Sequence, residues 1–256
     1  MIAQFPPIFN SFEKNFLCPP GVRQSPQKAV AIPGTMVYNT SIIERGSPYL
    51  RLLEGVAALD DTKTRILSAT MKAVRQYGLE GARVQNISEL AGISPGAMYR
   101  YFKSKDELLV ACFIHVDQQV AAIFDHLRFD PQLMLTDPMA AVKSLWVPYF
   151  RFWVAHPDET VFYHRFRDSA VFPKYDKVRD ASYFRAFVEM VRTFMRAFPS
   201  LRHVNQDVLW LHVLTSTVMY AKYVVEGLLP NNQETENTVF QFLTVGLSGY
   251  LKPEQP

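Results

Sequence analysis

Between residues 62 and 127 the apolar positions recur at helical spacing, and the breaks between runs carry their own punctuation. In TKTRILSATMKAVRQYG, Ile66, Thr70, Val74 and Tyr77 fall along one stripe with Leu67, Ala69 and Ala73 beside it, and Gly78 supplies a left-handed stop. A short second helix is expected over about 84–91, with Ile87, Leu90 and Ala91 inward and Gly92 as terminator. A third starts at Ser94, whose hydroxyl suits an N-cap, with Pro95 at the first helical position, and ends near Phe102. The fourth opens on Ser104-Lys105-Asp106-Glu107, a capping box in which Ser104 and Glu107 satisfy each other's backbone donors, and runs on through Leu108, Cys112, Val116 and Phe124.

The flanks read differently. Residues 1–60 hold seven of the seventeen prolines with little periodicity, which predicts an irregular arm. One run within it, about 48–59, places Tyr49, Leu52, Leu53, Val56 and Leu59 on one helical face and predicts a short helix. Beyond Asp130, five further helices are expected over about 138–155, 157–168, 180–198, 206–229 and 233–251, with Pro157, Pro173, Pro199 and Pro230 at the joints. No strand-like alternation persists, so the fold class is all-α: a three-helix helix-turn-helix unit followed by a helical domain. The domain boundaries follow: an arm over 1–60, a helix-turn-helix domain over 61–108, and a helical domain over 109–256.

Composition adds little until the charge is located. The net charge is only +3. From residue 62 to 105, however, eight basic residues (Lys63, Arg65, Lys72, Arg75, Arg83, Arg100, Lys103, Lys105) face two acidic ones, Glu80 and Glu89. This segment is cationic and the remainder is anionic, the asymmetry of a polyanion-binding module. The two cysteines show no pairing logic and suit a reducing compartment. The N-terminus lacks a signal-peptide pattern, and the most apolar stretch, 208–221, is too short to span a bilayer. A cytoplasmic protein without membrane partners is expected.

Two short helices joined by a tight glycine turn, the second capped and basic, make a helix-turn-helix, whose second helix fits the major groove of DNA. The ordered set Ile66-Leu67, Ala69, Gly78, Val84, Ile87, Ala91-Gly92-Ile93-Ser94, Gly96, Tyr99, Phe102, Lys103-Ser104-Lys105 and Glu107-Leu108 resembles the DNA-binding domain of the tetracycline-repressor-like (TetR) regulators. Carried over by position, the resemblance implies that Tyr99 and Lys105 hold phosphates with Ser94 helping at the turn. Gly96 and Ala97 allow close approach to bases, and Gln85 stands where relatives place a base-reading residue. Gln suits adenine through its paired donor and acceptor. Arg100, Tyr101 and Lys103 reach backbone or base edges. Arg83 replaces the usual Thr or Ser, keeping a charge for phosphate while removing the cap of the second helix. Val74 and Tyr101 replace the common Phe and His.

The C-terminal half is rich in aromatic residues, most of them needed for a core. The resemblance implies a ligand cavity here for a small apolar or aromatic effector. Polar residues on otherwise apolar helices are its candidates: Tyr149, His164, Tyr183, His212, Thr215 and Tyr220. It also implies a homodimer through the last two helices, whose apolar residues exceed what one chain needs. No phosphate loop, nucleophile elbow or nucleophile–base pair appears, so neither catalysis nor a cofactor is expected. His156, Asp158, Glu159 and His164 do not converge on one helical face, so no metal site is expected either. The functional expectation is a ligand-responsive repressor that binds a palindromic double-stranded DNA operator. The alternative is a DNA-binding protein whose C-terminal half recruits a protein partner.

Overall fold

The computed structural model describes residues 61–176, 184–247 and 249–251. The expected arm with its helix near 48–59 lies outside them. Among the described residues every regular element is helical: α1 (Asp61–Gly81), α2 (Val84–Ala91), α3 (Pro95–Tyr101), α4 (Lys105–His126), α5 (Pro131–Thr136), α6 (Pro138–Ala155), α7 (Pro157–Arg167), α8 (Phe172–Asp176), α9 (Arg185–Ala197), α10 (Gln206–Trp210), α11 (Ser216–Val225) and α12 (Gln233–Thr244). A 3-10 turn, Pro199–His203, precedes α10, and a π-helical turn, Leu211–Thr215, joins α10 to α11.

Local chemistry explains the boundaries of the first four helices. At Gly78 (φ 78°, ψ 169°) α1 kinks, in a backbone region where an L side chain is strained, and its last turn continues to Gly81. The stripe therefore ends sooner than the periodicity suggests. Ile66, Thr70 and Val74 are fully buried, whereas Tyr77, at the kink, is 53% exposed. Gly92 closes α2 in the left-handed region (φ 66°), with its N–H on the carbonyl of Glu89. Leu90, expected inward, lies at the edge of this short helix and is exposed. Ser94 Oγ accepts from the N–H of Ala97 at 3.1 Å, and Ser104 Oγ accepts from that of Glu107 at 3.1 Å. The reciprocal half of the capping box is shifted by one residue. Glu107 Oε2 accepts from the N–H of Lys103 at 2.8 Å rather than from Ser104.

α4 is the axis of the molecule. Leu108, Leu109, Val110, Ala111, Cys112, Phe113 and Ile114 are buried in succession, so neighbours cover it on all sides. One buried cluster runs without interruption from Ile66 and Ile87 through Phe113 to Trp153, Phe166 and Phe240. A smaller cluster, including Met134, Phe194, Leu201, Leu209 and Leu251, closes the far end. Two short helices escaped the periodicity reading, α5 and α8. The last two expected helices end earlier than predicted, at Val225, followed by Gly227 with φ 75°, and at Thr244.

The length argument against membrane-crossing segments does not hold. α4 and the continuous helical run Val208–Val225 are both long and apolar enough to span a bilayer. In α4, 67% of the most apolar stretch is buried within the fold, the behaviour of a core helix, against 28% in Val208–Val225.

Candidate nucleic-acid interface

α3 has seven residues, too few to form a core of its own. Met98 and Phe102 anchor it, at 2% and 1% exposed, and Met98 Sδ receives the buried Ser88 hydroxyl of α2 at 3.9 Å. These two anchors fix the rotation of the helix and turn the opposite face outward. Ser94, Gly96, Tyr99 and Arg100 are exposed on it, with Ala97 and Tyr101 half-buried at its edges. Tyr99 is 54% exposed, so its phenol is free of the core. Gly96 is informative because nothing among the described residues requires it. Its φ is not positive, and a Cβ added there would meet no atom within 4 Å.

The flanking cations divide into two groups. Arg83, Arg100 and Lys103 are exposed and form no ion pair among the described residues. Arg83 stands at the N-cap of α2 without a side-chain cap, and Gln85 is exposed on the first turn of that helix. Others bind the protein itself. Arg65 Nη2 donates to the carbonyl of Ala91 at 3.2 Å, Arg75 pairs with Asp158 at 3.1 Å, and Lys63 lies 5.9 Å from the Phe102 ring centroid. Lys105 Nζ donates to the carbonyls of Leu79 and Glu80 at 2.7 and 3.4 Å, tying the end of α1 to the start of α4. An ammonium carries three donors, so one remains for an outside acceptor.

α7 joins this unit to the rest of the chain. Its Arg165 donates to the carbonyls of Val74 and Arg75, and its Asp158 takes the Arg75 guanidinium. The next turn of the same helix faces a cavity of about 60 Å³, walled by Phe124, Tyr149, Tyr163, Arg167, Leu214 and Thr215 among others. A second cavity of about 90 Å³ shares Phe124, Tyr149, Phe187, Trp210 and Leu214 with it.

Of the six expected ligand residues the structure brings Tyr149 and Thr215 to the first cavity. Tyr149 is 6% exposed, its hydroxyl 3.4 Å from the carbonyl of Leu214, and burial pushes its pKa up. His164, His212 and Tyr220 line neither cavity, and Tyr183 lies outside the described residues. His164 faces Asp168 at 3.6 Å, and burial holds its imidazole below the usual range. His212 is exposed on the π turn, and Tyr220 packs edge-on against Tyr223. Sequence reasoning missed Tyr163 and Arg167, two polar residues four apart on α7. Their spacing was legible, but spacing alone does not separate them from a core aromatic and a solvated cation.

Known proteins share this segment. The family model of bacterial regulatory proteins, tetR family, matches residues 66–112. The HTH-type transcriptional repressor NicS of Pseudomonas putida is 33% identical over 99 residues, covering 39% of this chain and 45% of that protein. The HTH-type transcriptional regulator RutR of Escherichia coli K12 is 41% identical over 87 residues, covering 34% and 39%. The chain thus spans less than half the length of these relatives. A solved TetR family transcription regulator from Marinobacter aquaeolei shares the fold over 71% of this chain and 93% of its own, with a TM-score of 0.57 at 21% identity. Sequence and fold agree, and the chain is TetR-like: its segment 66–112 matches the family model of the bacterial regulatory proteins, tetR family.

Proposed function

We propose that this protein is a transcriptional regulator that binds a palindromic DNA operator as a homodimer and releases it on binding a small effector. The carrying observation is the outward face of α3. Two core anchors hold a capped helix so that a glycine, a free phenol and an unpaired guanidinium face solvent. A helix of this width enters the major groove. Gly96 and Ala97 let it approach the bases, Tyr99, Arg83, Lys103 and Lys105 take phosphates, Ser94 marks the turn, and Gln85, Arg100 and Tyr101 reach base edges. Repression fits a protein whose effector shifts the population away from the DNA-competent form. No catalytic role is invoked, and the work is cytoplasmic.

A homodimer is supported by the surface of the last helices. Val208, Leu228, Phe242 and Val245 are large apolar residues at 62–74% exposure. A second copy covers them, and its two-fold axis places two α3 helices on one operator. α7 supplies the route from effector to DNA, since it both walls the cavity and grips the end of α1.

Selection of bound fragments from random DNA tests the reading. A palindromic consensus is expected, with half-sites about one helical turn apart or a multiple of it. Recovery of no enriched sequence from the purified full-length chain overturns it.

A further inference from the structure

The first cavity is walled by aromatic rings and branched aliphatic chains, and among the described residues Arg167 is the one charged residue that lines it. That guanidinium lies 5.9 Å from the Tyr163 ring centroid and 5.8 Å from that of Phe172, and Nη1 donates to Thr215 Oγ1 at 3.3 Å. Among the described residues no carboxylate pairs with it. A guanidinium carries five donors in a planar fork that matches a carboxylate, and Arg167 is half-buried with Thr215 exposed beside it, so this polar end stands at the mouth of the cavity. Buried Asp117 does not line the cavity. It accepts from the Tyr163 hydroxyl at 3.5 Å and so steadies the ring over which Arg167 lies.

Past the shared wall the second cavity presents a wholly apolar surface. The pair therefore has a cationic end and an apolar end. Both spaces are small, at about 60 and 90 Å³, which disfavours a bulky ring system. The π-helical turn contributes Leu211, Leu214 and Thr215 to the walls, and π turns concentrate at binding sites.

We infer that the effector is an unbranched organic carboxylate, its head on Arg167 and Thr215 and its apolar tail passing Tyr149 and Leu214 into the second cavity. This inference rests on the effector-responsive reading above and names the effector's chemical class.

The test is calorimetric titration of the full-length protein, without DNA, against straight-chain carboxylates from hexanoate to hexadecanoate and the matching alcohols. Affinity should rise with tail length until the second cavity is full, and each carboxylate should bind at least about tenfold tighter than its alcohol. Arg167→Gln should abolish that preference and Arg167→Lys should restore part of it. Leu214→Trp, which fills the shared wall, should reject long tails and keep short ones. Equal binding of acids and alcohols by the unaltered protein overturns the inference, as does an undiminished preference in a folded Arg167→Gln variant. If that variant fails to fold, the acid–alcohol comparison and the Leu214→Trp length profile decide alone. A protein that binds operator in the absence of ligand yet ignores every carboxylate sinks this inference and leaves the regulator reading intact.

Discussion

α4 and the run Val208–Val225 are similar in apolar character and opposite in surroundings. α4 finds its covering within its own chain, from α1, α6, α7 and α9. The second run meets α6, α7 and α12, while Val208 stays 62% exposed. Phe242 and Val245, on and just after α12, are likewise exposed. Composition alone does not separate a core helix from an interface helix. The location of the partner atoms does, and for the second helix those atoms are assigned here to another copy.

This contrast can be broken by substitution. Phe113 in α4 stacks on Tyr163 at 4.7 Å between ring centroids and is fully buried. Phe113→Ala should cost about 3–5 kcal/mol, seen as a lower urea midpoint at every protein concentration. Phe242→Asp with Val245→Asp should instead leave the secondary structure intact and convert the proposed dimer to monomer in sedimentation equilibrium. Operator affinity should then fall by about a hundredfold or more through lost bivalency. Retained dimers in that double variant would remove the assigned partner copy.

Smaller effects extend the same logic to α3, where exposure is likewise assigned to a missing partner, the DNA. Tyr99→Phe should weaken binding about tenfold on all sequences, with thermal stability unchanged. Gly96→Ala should hold or slightly raise stability, since nothing among the described residues opposes a methyl group there, and still lower operator affinity in gel shifts. A Gly96→Ala protein that binds normally contradicts the close approach.

The smallest effect concerns the link between α6 and α12. Glu236 is partly desolvated, which raises its pKa, but hydrogen bonds from Arg151 at 2.6 Å and from Gln233 outweigh this and hold its carboxyl below the usual range. A depressed folded-state pKa contributes stability above the unfolded value, and that contribution is lost as pH falls through the folded value. Arg151 is 60% exposed, so the pair is worth at most about 1 kcal/mol. Glu236→Gln should therefore lower the urea midpoint slightly at neutral pH and flatten its fall under acid.

The reading helix was legible because its signals are local. Ser94-Pro95, Gly92 and Ser104 act within a turn or two of where they stand, and they lie where the pattern placed them. The short helices α5 and α8 have too few residues to display a period, although Asp130-Pro131 does carry a start signal. Asp130 Oδ1 accepts from the N–H groups of Gln132 and Leu133. The cavity was the least legible feature. Whether His164 or Arg167 faces it depends on how α7 is rotated by packing against α1 and α4, and that rotation is set by contacts distant in sequence. Lys105 shows the same limit, since its reach to Leu79 spans 26 residues.

The π-helical turn at Leu211–Thr215 has one more consequence. A surplus residue in an otherwise regular spiral advances everything after it by about 100° of azimuth. The stretch before it and the stretch after it therefore aim their matching side chains in different directions, so that one rod would serve an inner chamber and the proposed outer seam together. Deleting a single residue there, such as His212, should bring the two halves back into phase and set those two duties in conflict, with pairing between subunits and effector binding lost in one step.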